Sequence, residues 1–248
     1  MLIVLYLYLN RIQLEQIKKM EREKIMKKLN VNVNGNKKLV NNENVRFIIW
    51  NIPACKTCPF ATENCKAACY ARKAERVYPQ VLPCRENNFT ESLKPDFVEN
   101  MIFTIEKELN SKKFRGKKAF FRIHESGDFY NMEYAKKWIE ICKHFENDNR
   151  IVFLAYTKSI IYFVKSGYNT PEFPKNLIIR SSIWNDTKPE NVEMTEKYNF
   201  PIYTAATPEE IETATINGEK IFICDCVDCG NCKACYFNDI KNIIVKIH

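Results

Sequence analysis

Nine of the eleven cysteines in this 248-residue chain fall into two short segments. The first reads CKTCPFATENCKAAC and supplies Cys55, Cys58, Cys65 and Cys69. The second reads CDCVDCGNCKAC and supplies Cys224, Cys226, Cys229, Cys232 and Cys235. Four thiolates commonly hold one iron–sulfur cluster, and two-residue gaps let successive sulfurs wrap a single cube. Cys226 to Cys235 repeat such a gap three times, close to a bacterial ferredoxin run, although the fourth cysteine comes one residue early and no proline follows. Zinc favours two C-x2-C knuckles separated by a longer spacer. The second group therefore reads as an iron–sulfur site, with Cys224 a surplus ligand or neighbour and Gly230-Asn231 supplying a tight turn. The wider spacing of the first group leaves zinc as an alternative there. One [4Fe-4S] cluster or two are both compatible with the count, since one group can lend a ligand to the other. Cys84 and Cys142 stand apart; Cys142 reads as apolar filler on a helix face and Cys84 as a loop residue.

Clustered free thiols belong in a reducing compartment, which points to the cytoplasm and to metal rather than disulfides. The apolar start, MLIVLYLYL, is too short to span a bilayer. The net charge is +8, but residues 1–40 hold nine Lys/Arg against three Glu, so the basic charge sits mostly at the N-terminus. Residues 1–35 read as a basic helical extension and linker, with the folded body at 36–248. Such an arm is a candidate for binding nucleic acid or a host partner.

The elements that would position the cysteines alternate. Apolar runs at 47–50, 118–124, 151–156, 176–182, 201–205 and 220–223 read as strands buried on both faces, as in a parallel sheet. Helical patterns fill most of the gaps, including 66–78, a segment opened by Pro95 and ending near Leu109, and 131–145. The fold class is α/β, an open or partial barrel of about six βα units. Function in such folds gathers at the C-terminal ends of the strands. Cys55 follows the first strand, and Cys224 the last. His124, Glu125 and Asp128 follow the second strand, Lys158 the third, and Arg180 ends the fourth. These five are the candidate acid–base or anion-contacting residues at a mouth flanked by the two cysteine groups.

The order GNKKLV, CPFATENCKAACYA, RIHESGDF, a Trp-containing helix, AYTKS and a C-terminal CxxCxxC resembles the phage-associated gene product 88 family over about residues 34–236. The resemblance implies a phage or mobile-element origin and a cytosolic iron–sulfur protein. A more distant likeness is to radical SAM enzymes, which place a cysteine motif after the first barrel strand and a Gly-Gly-Glu-type motif after the second. Here Cys55–Cys69 and His124–Asp128 take those places, but the C-x3-C-x2-C spacing is absent, which puts S-adenosylmethionine binding in doubt. The expectation is an iron–sulfur redox or radical-type enzyme acting on a small-molecule or macromolecular substrate. The competing expectation is a non-enzymatic, metal-stabilised protein that binds through its arm.

Overall fold

The computed structural model describes residues 11, 13, 14, 21, 25–33, 38–216, 221–225, 227–237 and 240–246. Cys226, residues 34–37 and most of the basic N-terminal arm, with the helix expected there, lie outside the described residues. All six expected strands are present: β1 (Val45–Trp50), β2 (Lys118–Ile123), β3 (Ile151–Thr157), β4 (Leu177–Ile183), β5 (Ile202–Ala206) and β6 (Ile221–Cys224). A seventh, β7 (Asn242–Lys246), corrects the count. It follows the second cysteine segment and inserts between β5 and β6, so the sheet order is β1-β2-β3-β4-β5-β7-β6 with every pair parallel. The sheet curls into a half-barrel flanked by helices.

Among the described residues from β1 onward the helices are α1 (Glu63–Ala67), α2 (Tyr70–Val77), α3 (Val81–Leu93), α4 (Phe97–Leu109), α5 (Met132–His144), α6 (Ile160–Val164), α7 (Pro189–Lys197), α8 (Pro208–Ile216) and α9 (Cys229–Cys232). One continuous helix expected over 66–78 is instead two, with Cys69 at the N-cap of the second. Helix α3 is an addition to the expected elements. Its buried residues are Arg85, Asn88, Glu91 and Ser92, so it shows no apolar stripe to read.

Alternation along the strands builds two different layers. On the outer face, Ile48, Phe121, Phe153 and Leu177 lie in register and pack with Met101 and Ile105 of α4, Trp138 and Ile141 of α5 and Phe163 of α6. On the inner face, Phe47, Phe120, Leu154 and Ile178 form a smaller cluster closed by Tyr236. The chain joins the core before β1. Leu29 is buried with its N–H on Thr104 Oγ1 at 2.8 Å, and Asn32 bridges to Ile49.

Candidate functional site

The loop after β1 carries the first cysteine group and is tied down from several sides. Asn51 Oδ1 accepts from the N–H groups of Glu125 and Ser126 at 2.8 and 3.0 Å, joining the ends of β1 and β2. Gly127 makes the close approach possible. At φ +85° a Cβ would lie 2.4 Å from Ile52 Cγ1 and 2.7 Å from Thr57 Oγ1. Cys55 itself is left-handed at φ 60°, an uncommon conformation for a residue with a side chain. The Ala54 N–H donates to Glu75 Oε1, which is also held by Arg85 at 2.9 Å. Further along, Thr62 caps α1 and accepts from the Cys65 N–H, and the Asn64 N–H donates to Asp186 Oδ2 at 2.8 Å.

This scaffold brings the four thiols of the first group together. Cys55 and Cys69 are hydrogen-bonded, and Cys58 and Cys65 both feel the charge of Cys55. Burial raises the thiol pKa of Cys55, Cys58 and Cys65. Repulsion from Cys69 adds to the rise at Cys55, and from Asp128 at Cys58, while Lys158 opposes it at Cys65. A cation set among such thiols would favour their ionised form. Among the described residues, however, no three His, Cys, Asp or Glu side chains gather closely enough to hold one metal ion. A tetrahedral zinc with bonds of about 2.3 Å needs sulfurs roughly 3.8 Å apart. The four thiols of the first group are all partly buried.

The polar candidates divide. Asp128 is buried, accepting from Thr157 Oγ1 at 2.5 Å and from the N–H groups of Phe129 and Lys158 at 2.7 and 3.1 Å. It pins the β3 end to the β2 end; burial raises its pKa and those hydrogen bonds oppose the rise. Lys158 is also buried, its Nζ donating to the Ser182 carbonyl at 2.9 Å and lying 5.6 Å from the Trp184 ring. Burial lowers its pKa, and the neighbouring Cys65 and Asp128 oppose that. Asp128 and Lys158 thus stand beside the first thiol group. His124 is turned into the core instead. Its φ is 65°, its Nε2 lies 2.9 Å from Tyr134 Oη and its ring stacks on Tyr134. Burial, helped by the Arg122 cation, takes its pKa down to about 3, so the imidazole is neutral at ordinary pH.

The second cysteine group lies against the inner face. Asp228 caps α9 by accepting from the N–H groups of Gly230 and Asn231. Gly230 is not the turn residue; Lys233, at φ 58°, is. Gly230 is needed because a Cβ there would lie 2.3 Å from the Val40 carbonyl, where the 38–42 segment clasps the loop through Cys229 N–H to Lys38 O at 2.8 Å. Arg180, fully buried, docks the whole segment. Its guanidinium donates to the carbonyls of Cys235, Ile240, Ala234 and Phe237 at 2.9, 2.8, 3.3 and 2.7 Å. Arg180, expected to end the fourth strand and to meet an acid or an anionic ligand, stands instead in the middle of β4 and is held by backbone carbonyls.

Between this segment and the sheet lies a cavity of about 380 Å³. Cys224, Cys229, Cys232 and Cys235 line one side, and Arg122 and Tyr156 the other. Tyr70 and Glu125 also line it, and the Tyr70 hydroxyl donates to the Glu125 carbonyl at 2.7 Å. Since Tyr70 follows Cys69 directly, it stands at the boundary between the two thiol groups. The cavity's described lining includes cysteines of the second group and none of the first. Arg122 and Tyr156 are site residues that sequence reasoning does not single out, whereas Tyr70, like Tyr236, is expected from its place beside a cysteine to shield cluster sulfurs rather than react. Arg122 does carry a signal, as the one charged residue inside the run AFFRI, on the alternation that faces inward. Cys142 is fully buried as expected, whereas Cys84 sits in α3 and accepts from Asn30 Nδ2 at 3.0 Å. No described helix is long and apolar enough to cross a membrane.

A family model described as gene product 88 matches residues 18–238. The gene 88 protein of Mycobacterium phage D29 is 30% identical over 105 residues, a stretch that covers 41% of this chain and 42% of that protein. No solved structure matches the chain at a significant level.

Proposed function

The chain belongs to the gene product 88 family, and from that starting point we propose that it is an iron–sulfur redox or radical-type enzyme with two cluster sites. The first site is Cys55, Cys58, Cys65 and Cys69. The second draws on Cys224, Cys226, Cys229, Cys232 and Cys235. The observation that carries the reading is the grouping of four partly buried thiols at the C-terminal end of β1, held by loops from β2 and β4. That end of a parallel half-barrel is where substrates meet catalytic groups. A bound cluster would supply single electrons at that position.

The chain's own residues have definite parts in this reading. Asp128 and Asn51 fix the loops around the first group, and Lys158 places a cation beside Cys65. Arg180 and Tyr236 seat the second group against the inner face. His124, neutral and held in the core, is a structural residue and not an acid–base catalyst. A reducing, cytoplasmic setting is part of the proposal, because exposed clusters and free thiols require one. Anaerobic purification followed by iron, sulfide and zinc analysis tests it. Iron and acid-labile sulfide in equal amounts support the reading; zinc without sulfide refutes it.

A further inference from the structure

We propose that the inner-face cavity binds a small organic monocarboxylate with an aromatic or apolar body, anchored by Arg122. The inference rests on Arg122 and the tyrosine and apolar walls; a cluster on the four cysteines that also line the cavity would take part of the same space, so the metal-free protein is the form in which the ligand is expected to bind. Arg122 projects from β2 and its guanidinium lies 3.5 Å from the centroid of the Tyr156 ring. Its Nε donates to the His124 carbonyl at 3.1 Å. Its two terminal amino groups have no acceptor among the described residues and open on the cavity. Cation and fork are thus held in place from behind, while the donors suited to a planar carboxylate face empty space.

Size, wall chemistry and charge narrow the ligand. A volume of about 380 Å³ falls within the roughly 300–1,000 Å³ typical of small-molecule sites. Leu154, Tyr203, Phe222 and Tyr236 provide apolar and aromatic wall, and Tyr156 and Tyr203 sit with ring centroids 4.2 Å apart. Among the described lining residues the charges balance, with Lys38, Arg122 and Lys233 against Glu125, Asp225 and Asp228. A balanced lining favours a monoanion over a phosphate dianion. Burial does not weaken the Arg122 cation, because the electronegative hydroxyls and carboxylate around it outweigh desolvation.

The test is calorimetric titration of the full chain with benzoate and, separately, with inorganic phosphate. Both metal-free and anaerobically reconstituted protein are used. Benzoate is expected to bind the metal-free protein, to weaken at least tenfold in Arg122→Met and severalfold in Arg122→Lys, and to be unchanged in Lys158→Met. The lysine variant keeps the charge and loses the fork, so it remains informative if the methionine variant does not fold. Absence of benzoate binding by the metal-free protein overturns the proposal, as does equal binding by both Arg122 variants, or phosphate binding tighter than benzoate. Benzoate binding by a protein that takes up no iron would leave this proposal standing and remove the cluster reading alone.

Discussion

The two cysteine groups are held by opposite means. The first is fixed by side chains converging from other parts of the fold: Glu75 and Arg85 behind Ala54, Asp186 on Asn64, and Gly127 pressed against Ile52 and Thr57. The second is fixed mainly through its backbone, with Arg180 gripping four carbonyls, Lys38 accepting from the Cys229 N–H and Tyr236 packed into the inner-face cluster. A loop pinned at many points loses little when one contact goes. A segment whose four carbonyls share one buried cation leans most on that cation.

Replacing Arg180 with Met presses hardest on this contrast. Four buried or part-buried carbonyls lose their donor, with an expected cost of about 3–5 kcal/mol. Alkylation mapping under native conditions is expected to show Cys229 and Cys235 becoming more reactive while Cys55 to Cys69 keep their wild-type rates. Equal exposure of both groups would erase the distinction.

Gly127→Ala probes the other side. A methyl group meets Ile52 and Thr57 in a left-handed backbone, which is expected to cost about 2–3 kcal/mol in urea denaturation. The reactivity change is expected in the first group and not in the second.

His124 gives a pH signature. Its pKa is about 3 in the folded protein, against 6.5 for an unperturbed imidazole. The unfolded chain therefore binds a proton that the folded protein refuses. Stability from this group is complete above pH 6.5 and declines as pH falls toward 3, by at most about 1.4 kcal/mol per unit. His124→Asn, chosen because Asn tolerates a positive φ, is expected to flatten that slope in chemical denaturation between about pH 4 and 7.

The smallest effect is expected from Lys158→Met. Removing the cation that lowers the Cys65 pKa is expected to slow alkylation of Cys65 about twofold or more at about pH 8. Cys235, on the inner face, serves as the unaffected reference.

Much of this architecture is readable from the chain because it rests on local rules. Apolar runs of strand length announce β1 to β6, and Asn131 announces α5, whose N-cap it is. What is not readable depends on partners distant in sequence. β7 is a short run at the chain end, and only its place between β5 and β6 makes it a strand. Helix α3 hides its buried face because that face is polar, with Asn88 reaching the carbonyls of Asn30 and Asn51. Cysteine spacing names both thiol groups, and the strand ends locate the first. The role of Arg180 escapes sequence reasoning because backbone carbonyls 54 to 60 residues away leave no mark in the sequence. Arg122 leaves a mark, as the one charge inside AFFRI, but its role depends on the cavity that the second cysteine segment encloses.

The central claim is that the two groups are separate iron–sulfur sites, and metal counting in group-specific variants tests it most directly. Anaerobically reconstituted wild-type protein is expected to hold about eight iron and eight sulfide for two [4Fe-4S] clusters. Serine at Cys55, Cys58 and Cys65, or at Cys229, Cys232 and Cys235, is expected to halve both counts, leaving the other cluster's EPR signal in place. Zinc without sulfide in the wild type, or loss of all iron from either variant, would contradict the account.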